Sequence, residues 1–174
     1  MSKDTKQQFV VFQTLRKGKN NDGVCLQLTT TNNGLLFTVA PQNGISNNLP
    51  RFDYNSAFKF QLNSIESAEV ALFIERELMF GFQPVKIDFP HINARDPKTI
   101  KFESKLYNNQ LQIVLSVISA NQSKKNLTIF LNENEAYCLL VNLKEQISLF
   151  NLKNYIDNDD TNVFKKSIKP EFFR

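Results

Sequence analysis

Residues able to carry out catalysis are scarce in this chain and form no recognisable set. His91 is the only histidine among the 174 residues, and a catalytic histidine needs a partner that orients it. No serine, cysteine or aspartate lies in a known nucleophile motif, and the sequence has no glycine-rich phosphate loop or metal-ligand spacing. We therefore predict a non-enzyme without metal or cofactor, and only carboxylates converging in a pocket would revive an enzymatic interpretation.

Basic residues are grouped more clearly than catalytic ones. Between Lys86 and Lys125 there are seven Lys or Arg residues against three acids, whereas the predicted first helix holds four glutamates and one arginine. The formal net charge of +4 suits an anionic partner without requiring one. This division of charge predicts an acidic helical side and a basic strand side.

Alternation within one predicted strand puts part of this charge on a single face. Residues of equal parity share a face of a strand, so Lys101, Lys105 and Tyr107 point away from Ile100 and Phe102. Bases stack on aromatic rings and cations neutralise phosphates, which is what binding of a single-stranded nucleic acid requires. The candidate nucleic-acid-binding residues have cationic or aromatic side chains: Lys17, Lys19, Arg51, Tyr54, Lys59, Lys98, Lys101, Lys105, Tyr107, Lys124 and Lys125.

The elements that must position these residues are mostly strands. Asn33-Gly34 predicts a hairpin turn, and Pro41–Asn55, with its prolines, glycine and asparagines, is predicted to be a surface loop. Phe89–Asn93, which contains His91, is predicted to connect the two halves of the chain. The β-prone runs are Gln8–Leu15, Val24–Thr31, Leu35–Ala40, Ala57–Leu62, Thr99–Leu106, Leu111–Ser119 and Leu127–Leu131.

A repeated joint leads from strand to helix in each half. Leu62-Asn63-x-x-Glu66 recurs 69 residues later as Leu131-Asn132-x-x-Glu135. In each joint the Asn can accept a hydrogen bond from the first helical turn while the Glu reaches back, as in a capping box. A first helix is predicted from about Ile65 to Met79. The second helix is predicted from an apolar stripe of Ala136, Leu139, Leu140, Leu143, Ile147 and Phe150.

These patterns predict an α+β fold built from a tandem repeat, ββββα-ββββα, with two antiparallel sheets and the helices packed between them. A single domain is expected over residues 1–156, with repeat 1 at about 8–80 and repeat 2 at about 85–156. A single α+β domain with accidental symmetry is the alternative. The C-terminal tail, 157–174, either folds back over a binding or subunit surface or stays solvated.

The two cysteines, Cys25 and Cys138, lie in apolar segments without metal-type spacing. Buried, reduced thiols are therefore favoured over a disulfide. No apolar run approaches the roughly 20 residues needed to cross a bilayer, and the first residues show no evident targeting signal. We expect no membrane partner, and the compartment stays open between the cytoplasm and an organelle matrix such as that of the mitochondrion.

Three segments of the first half carry a family signature: Gly34–Gly44, Phe52-Asp53-Tyr54 and Phe58–Glu66. Together they resemble the Whirly family of plant organellar single-stranded DNA-binding proteins, and also the guide-RNA-binding proteins of kinetoplastid mitochondria, which are related in fold. Lys17-Gly18-Lys19 stands where that family has Lys-Gly-Lys, but the small apolar residues that follow in the family are replaced here by Asn20-Asn21-Asp22-Gly23. The specific likeness covers about Lys17 to Ile74.

The resemblance implies paired four-stranded sheets with helices between them and assembly into a homotetramer through those helices. It also implies binding of unpaired DNA or RNA on the strand faces with little sequence preference. A structural subunit of a larger ribonucleoprotein or protein assembly is the alternative from a different functional class. DNA and RNA both stay open, because stacking and phosphate contacts serve either unless a residue reads the 2′-hydroxyl.

Overall fold

Strands and helices alternate in two successive halves of the chain. The computed structural model describes residues 10–16, 22–31, 34–47, 49–92, 96–121 and 126–158, with the backbone alone at 150–158. The first half contains β1 (Val10–Arg16), β2 (Val24–Thr31), β3 (Gly34–Ser46), β4 (Leu49–Phe52), β5 (Phe58–Gln61) and α1 (Ser64–Phe80). The second half contains β6 (Lys86–His91), β7 (Lys98–Tyr107), β8 (Gln110–Ser119), β9 (Leu127–Leu131) and α2 (Glu133–Asn158).

Each half forms an antiparallel sheet. In the first sheet the order is β1-β2-β3-β4, and β5 pairs with the first part of β3 while β4 pairs with its last part. In the second sheet the order is β6-β7-β8-β9. The α+β class with two antiparallel sheets and two helices is therefore confirmed. Within the described residues the first half has five strands, one more than the repeat predicts.

The segment Pro41–Asn55 is largely strand, so the predicted surface loop is wrong there. Proline lacks an N–H but keeps its carbonyl, and the Pro41 carbonyl accepts a hydrogen bond from the backbone N–H of Asp53 at 2.9 Å. Gly44, with φ of 90°, permits an irregular stretch of pairing, and Asn47, with φ of 51°, turns the chain into β4. Turn residues therefore extend and fold back β3 instead of ending the sheet.

The inner faces of both sheets enclose one apolar core with the helices. Phe37, Phe58 and Phe102 are among the largest fully buried side chains. Phe37 stacks on Phe60 of the neighbouring strand, with ring centres 4.9 Å apart and planes 14° apart. Replacing a ring buried in this way by alanine costs about 3–5 kcal/mol. The sheets are thus held by their inner faces, and their outer faces remain for other roles.

Both predicted capping boxes form. At the start of α1 the Asn63 side chain accepts the N–H of Glu66 at 2.9 Å, and the Glu66 carboxylate accepts the N–H of Asn63 at 2.9 Å. At the start of α2 the same exchange joins Asn132 and Glu135 at 3.0 and 2.9 Å. The repeated joint read from the sequence is therefore confirmed as a pair of helix starts.

Each capping glutamate also holds the first strand of the other half. Glu135 of α2 accepts hydrogen bonds from Thr14 and Arg16 of β1, and Arg16 also donates to the carbonyl of Phe130 at 2.7 and 3.0 Å. Glu66 of α1 lies 3.1 Å from Nε2 of His91, the last residue of β6. His91 therefore belongs to a strand rather than to the predicted connection. The two halves are tied reciprocally, each through the last residue of its leading strand.

The helices contact each other directly. Lys144 of α2 donates to Glu75 of α1 at 2.5 Å, and these two residues are 69 positions apart, the same offset as the capping boxes. Corresponding positions of the two helices therefore face one another.

The cysteines only partly follow the prediction. Both are free thiols, and Cys25 is buried, but Cys138 is exposed on α2. The expectation of a buried thiol is wrong for Cys138 because it lies beside the apolar stripe that faces the core, not in it. Along the described residues, no helix combines the length and apolar character that a bilayer span requires.

We expect Glu135→Gln to destabilise the fold by about 2 kcal/mol, because glutamine can keep the capping bond but leaves Arg16 without its charged partner. Burial alone would raise the pKa of Glu135, but hydrogen bonds from Arg16, Thr14 and the Asn132 N–H, with the charge of Arg16, hold that pKa below 4.5. A carboxylate whose pKa is lowered by folding stabilises the fold at pH values above its ordinary pKa. This contribution is lost as the pH falls through the lowered pKa. The free energy of unfolding of wild type, measured in urea, should therefore fall more steeply in acid than that of the variant.

The matched control is Glu133→Gln, which removes an exposed carboxylate from the same first turn. It should keep both the wild-type midpoint in urea at neutral pH and the wild-type acid dependence. Equal acid dependence in wild type and Glu135→Gln would contradict the role assigned to this carboxylate.

Candidate functional site

The outer face of the second sheet carries three of the predicted residues together. Lys101, Lys105 and Tyr107 of β7 point to the same side, as the alternation predicts, while Ile100 and Phe102 are buried on the other. On β6 and β7 this face presents three lysines and two acids: Lys86, Lys101, Lys105, Asp88 and Glu103. Its charge among the described residues is therefore +3 − 2, or +1.

Glu103 offsets much of the positive charge on this face. Its carboxylate lies 2.7 Å from Nζ of Lys101 and 2.8 Å from Nζ of Lys105. Hydrogen bonds from Lys101 and Lys105, with their charges, lower the pKa of Glu103, so it stays ionised at neutral pH. The two ammonium groups are aligned by this carboxylate, and any anion that approaches them must compete with it.

Lys98 does not lie on this face. Its parity is that of Ile100 and Phe102, its side chain is only 4% exposed, and Nζ donates to the Asp96 carbonyl at 2.6 Å. The prediction that Lys98 belongs to the basic face is therefore wrong. The alternation of β7 directs its side chain inward, and the carbonyl and carboxylate of Asp96 hold the ammonium group there.

Two aromatic side chains accompany the lysines. Tyr107 is 62% exposed at the end of β7, next to the turn at Asn108 and Asn109, whose φ values of 49° and 61° suit a tight hairpin. Phe130 of β9 is also exposed, and it lies in the register row that runs through Glu103 and Val114. Phe130 was missed by the sequence prediction, although the alternation of β9 signals it.

Among the described residues, the outer face of the first sheet combines a polar register row with the exposed apolar side chain of Leu15. One register row crosses four strands through Gln13, Gln27, Thr38 and Lys59. Lys59 is exposed, as predicted. Side chains opposite one another on a sheet are about 5 Å apart, so this row presents the amides of Gln13 and Gln27 and, beyond the buried Thr38, one cation.

Tyr54 lies against the same face. Its hydroxyl is 3.6 Å from Sγ of Cys25 and accepts a hydrogen bond from the Gln13 amide at 3.3 Å. The turn that carries Tyr54 is shaped by Asp53, whose carboxylate accepts the Asn55 N–H at 2.9 Å. Burial, then the hydrogen bond and charge of Cys25, raise the pKa of Tyr54 to about 12, and the Gln13 hydrogen bond opposes them. The ring is still 41% exposed and can offer part of its surface to a ligand.

The remaining predicted residues are less well joined to these faces. Arg51 is exposed on β4 and donates to the Ser46 hydroxyl at 2.8 Å, within the hairpin that extends the first sheet. Lys17, Lys19, Lys124 and Lys125 lie outside the described residues. Among the residues that the structure does describe, no cluster of His, Cys, Asp or Glu could hold a metal ion.

The comparisons with known proteins bear on the arrangement that places these faces. A crystal structure of Trypanosoma brucei MRP1/MRP2 aligns with a TM-score of 0.57 at 12% identity, over 84% of this chain and 85% of that one. The chain has a Whirly-like fold. WHY1 from Arabidopsis thaliana aligns with a TM-score of 0.49 at 14% identity, over 86% of this chain and 98% of that one. No family model matches, and no curated protein sequence gives a significant match.

The sequence could indicate features that lie within one strand. Alternation placed Lys101, Lys105 and Tyr107 on one face of β7 correctly, because the two faces of a strand are set by its own residues. The compensating position of Glu103 is equally local, since it lies between the two lysines. The polar row of the first sheet is not local, because it is assembled by the register of four strands.

We expect Tyr54→Phe to change how stability depends on alkaline pH. Because the pKa of Tyr54 is raised from 10.0 to about 12, the neutral phenol stabilises the fold below pH 10, and this contribution is lost as pH rises toward 12. The free energy of unfolding of wild type, measured in urea, should fall more steeply over this range than that of the variant. Tyr107→Phe, which removes an exposed hydroxyl, is the matched control, and equal slopes for wild type and Tyr54→Phe would refute this account.

Proposed function

We propose that this chain binds single-stranded DNA or RNA on the outer faces of its sheets, without catalysis and with little sequence preference. The observation that carries the proposal is the outer face of the second sheet, where Lys86, Lys101 and Lys105 accompany the exposed rings of Tyr107 and Phe130. Lysines neutralise phosphates, and rings stack on bases irrespective of their identity. The resemblance to the Whirly family points to the same ligand.

The first sheet supports the proposal in a different way. The amides of Gln13 and Gln27 in its register row offer neutral donors and acceptors, and Lys59 adds a cation at the end. Such groups bond phosphate oxygens, sugars and base edges alike. A corresponding row on the second sheet joins Lys101 to Ser116, whose hydroxyl lies 3.0 Å from that of Thr128. Both faces therefore offer hydrogen bonds along a line across the strands.

The small net charge of the outer face of the second sheet predicts how affinity depends on salt. Affinity for an oligonucleotide should fall with salt, and Lys105→Gln should reduce the slope of the logarithmic plot by about 0.7. Glu103→Gln should strengthen binding at low salt, because it raises the charge of the face from +1 to +2 and releases both lysines. Fluorescence anisotropy over a range of salt concentrations measures both effects.

Lys144→Gln is the matched control, since it removes an equivalent exposed charge from α2 on the helical side. It should leave the affinity unchanged. Failure of the wild-type protein to bind any single strand at low salt would sink the proposed function, whereas equal weakening by Lys144→Gln and Lys105→Gln would remove the assignment to this sheet.

We further propose that the helical side joins copies of the chain into a homotetramer. Three side chains of α1, spaced seven residues apart, are largely exposed: Ile65 at 71%, Leu72 at 66% and Met79 at 68%. These apolar side chains leave water only if another surface covers them. Exposed apolar side chains repeated along one side of a helix are typical of a protein–protein contact.

Leu72→Glu should lower the molar mass measured by light scattering, because it places a charge in the proposed contact. The control is Ile118→Glu on the outer face of the second sheet, which should leave the mass unchanged. A wild-type protein that is monomeric at high concentration would overturn the tetramer. It would favour the alternative function, a structural subunit whose helical side contacts a different protein.

We also propose that the chain is a tandem repeat of one unit. It is supported by the two capping boxes and by the contact between Glu75 and Lys144, all related by the offset of 69 residues. The extra strand β4 then belongs to the first unit alone.

A further inference from the structure

We infer that the cleft at the start of α1 receives one base of the bound strand, an inference that rests on the proposed function. The cleft has a volume of about 310 Å³ and lies between the end of β5, the first turns of α1 and the middle of α2. That volume is at the small end of the range for ligand sites. The lining of the cleft includes four polar and two apolar side chains: Gln61, Ser64, Ser67, Gln146, Leu62 and Ile147.

Ser67 is the first sign that this cleft is built for a ligand. The residue is only 4% exposed and lines the cleft, yet its hydroxyl makes no hydrogen bond to the residues that the structure describes. The corresponding residue of α2, 69 positions later, is the fully buried Ala136. Helix packing at this position therefore does not require a hydroxyl. Because no fully buried polar side-chain atom among the described residues lacks a partner, the Ser67 hydroxyl keeps contact with the solvent in the cleft, where a ligand can reach it.

Gln61 differs from its counterpart in the same way. The residue 69 positions later is Phe130, so two positions that are apolar in the second half, 61 and 67 in the numbering of the first, are polar here and line this one cleft. The Gln61 amide donates to the Thr31 hydroxyl at 2.8 Å, which leaves its carbonyl oxygen for another donor.

Gln146 closes the opposite side of the cleft. Its Nε2 lies 3.2 Å from the place that a Cβ on Gly34 would occupy, and Gly34 has φ of 121°. A side chain at position 34 would displace this amide. The glycine therefore leaves space for the side chain of Gln146. Within the described part of the chain the Gln146 amide has no hydrogen-bond partner, and it presents both a donor and an acceptor.

The chemistry of this lining selects a neutral, flat ligand with donors and acceptors. None of the described residues that line the cleft is a lysine, arginine, aspartate or glutamate, and the nearby Glu66 carboxylate disfavours an anion. Amide side chains pair with base edges, and single-stranded bases splayed away from their neighbours are read in this way. Leu62 and Ile147 supply apolar contact for the faces of the base.

The cleft is continuous with the proposed binding face. Lys59 and Gln61 lie on the same side of β5, about 7 Å apart along the strand. A nucleotide whose base enters the cleft can therefore place a neighbouring phosphate near Lys59. The cleft adds a base contact to a surface that otherwise follows the backbone of the strand.

Ser67→Leu and Gln146→Ala test this inference in the full chain. The leucine should fill the cleft and weaken binding of an oligothymidylate about tenfold, as expected for loss of one base contact. The slope of affinity against salt should stay unchanged, because Ser67 and Gln146 are uncharged and no cation is among the described residues that line the cleft. An oligonucleotide with abasic sites should bind wild type and Ser67→Leu equally. Ser148→Leu, at an exposed position of α2, is the matched control, and thermal unfolding checks that each variant folds.

The outcomes separate this inference from the proposed function. If Ser67→Leu and Gln146→Ala bind as wild type does while Lys105→Gln weakens binding, the base site is wrong and the proposed function stands. If wild type binds no single strand, both are wrong. If the side-chain amide resonances of Gln146 shift with an acetylated peptide but not with the oligonucleotide, the cleft binds peptide and the inference is overturned.

Discussion

The reciprocal ties made by the two capping glutamates are the constraint on which the rest of this structure depends. Glu66 and Glu135 each begin a helix and, with the same carboxylate, hold the last residue of the other half's leading strand. A carboxylate with several hydrogen-bond donors is worth more than one with a single donor, because each bond to a charged group is strong and their loss leaves a partly buried charge. Together with the shared apolar core, these two residues link each sheet to the helix of the other half.

These ties change the meaning of the charge division in the sequence. The glutamates of α1 predicted an acidic helical surface, but Glu66 contacts His91, Glu75 contacts Lys144 and Glu77 is buried, where it accepts the N–H of Gln83. Much of the acid is thus used inside the fold. The basic strands are similarly reduced, because Glu103 lies between two lysines. What remains on the sheet faces is a mixture of few cations, aromatic rings and many neutral hydrogen-bonding groups, which suits contact with a chain molecule more than capture of a concentrated anion.

The sequence predicted what depends on neighbours along the chain. The Leu-Asn-x-x-Glu joints were correct because a capping box is made within four residues, and the faces of β7 were correct because alternation belongs to a single strand. The cluster of basic residues in the sequence does not separate Lys98 from its exposed neighbours, whereas the alternation of β7 directs its side chain inward. The sequence did not predict strand β4, because prolines and asparagines usually end a strand. In the structure β4 folds back and pairs with the last part of β3. The polar row and the cleft at α1 depend on register and helix packing, which no local pattern contains.

The contact between Glu75 and Lys144 has a consequence for how such a molecule can change over time. At the axis of a symmetric pair of identical chains a residue meets its own copy, so a charged side chain there faces a like charge. Here the two positions lie on one chain and are encoded separately, and one is acidic while the other is basic. A single polypeptide can therefore place opposite charges where a pair of identical subunits could not, and the same freedom lets one joint carry a polar cleft while the other keeps apolar side chains.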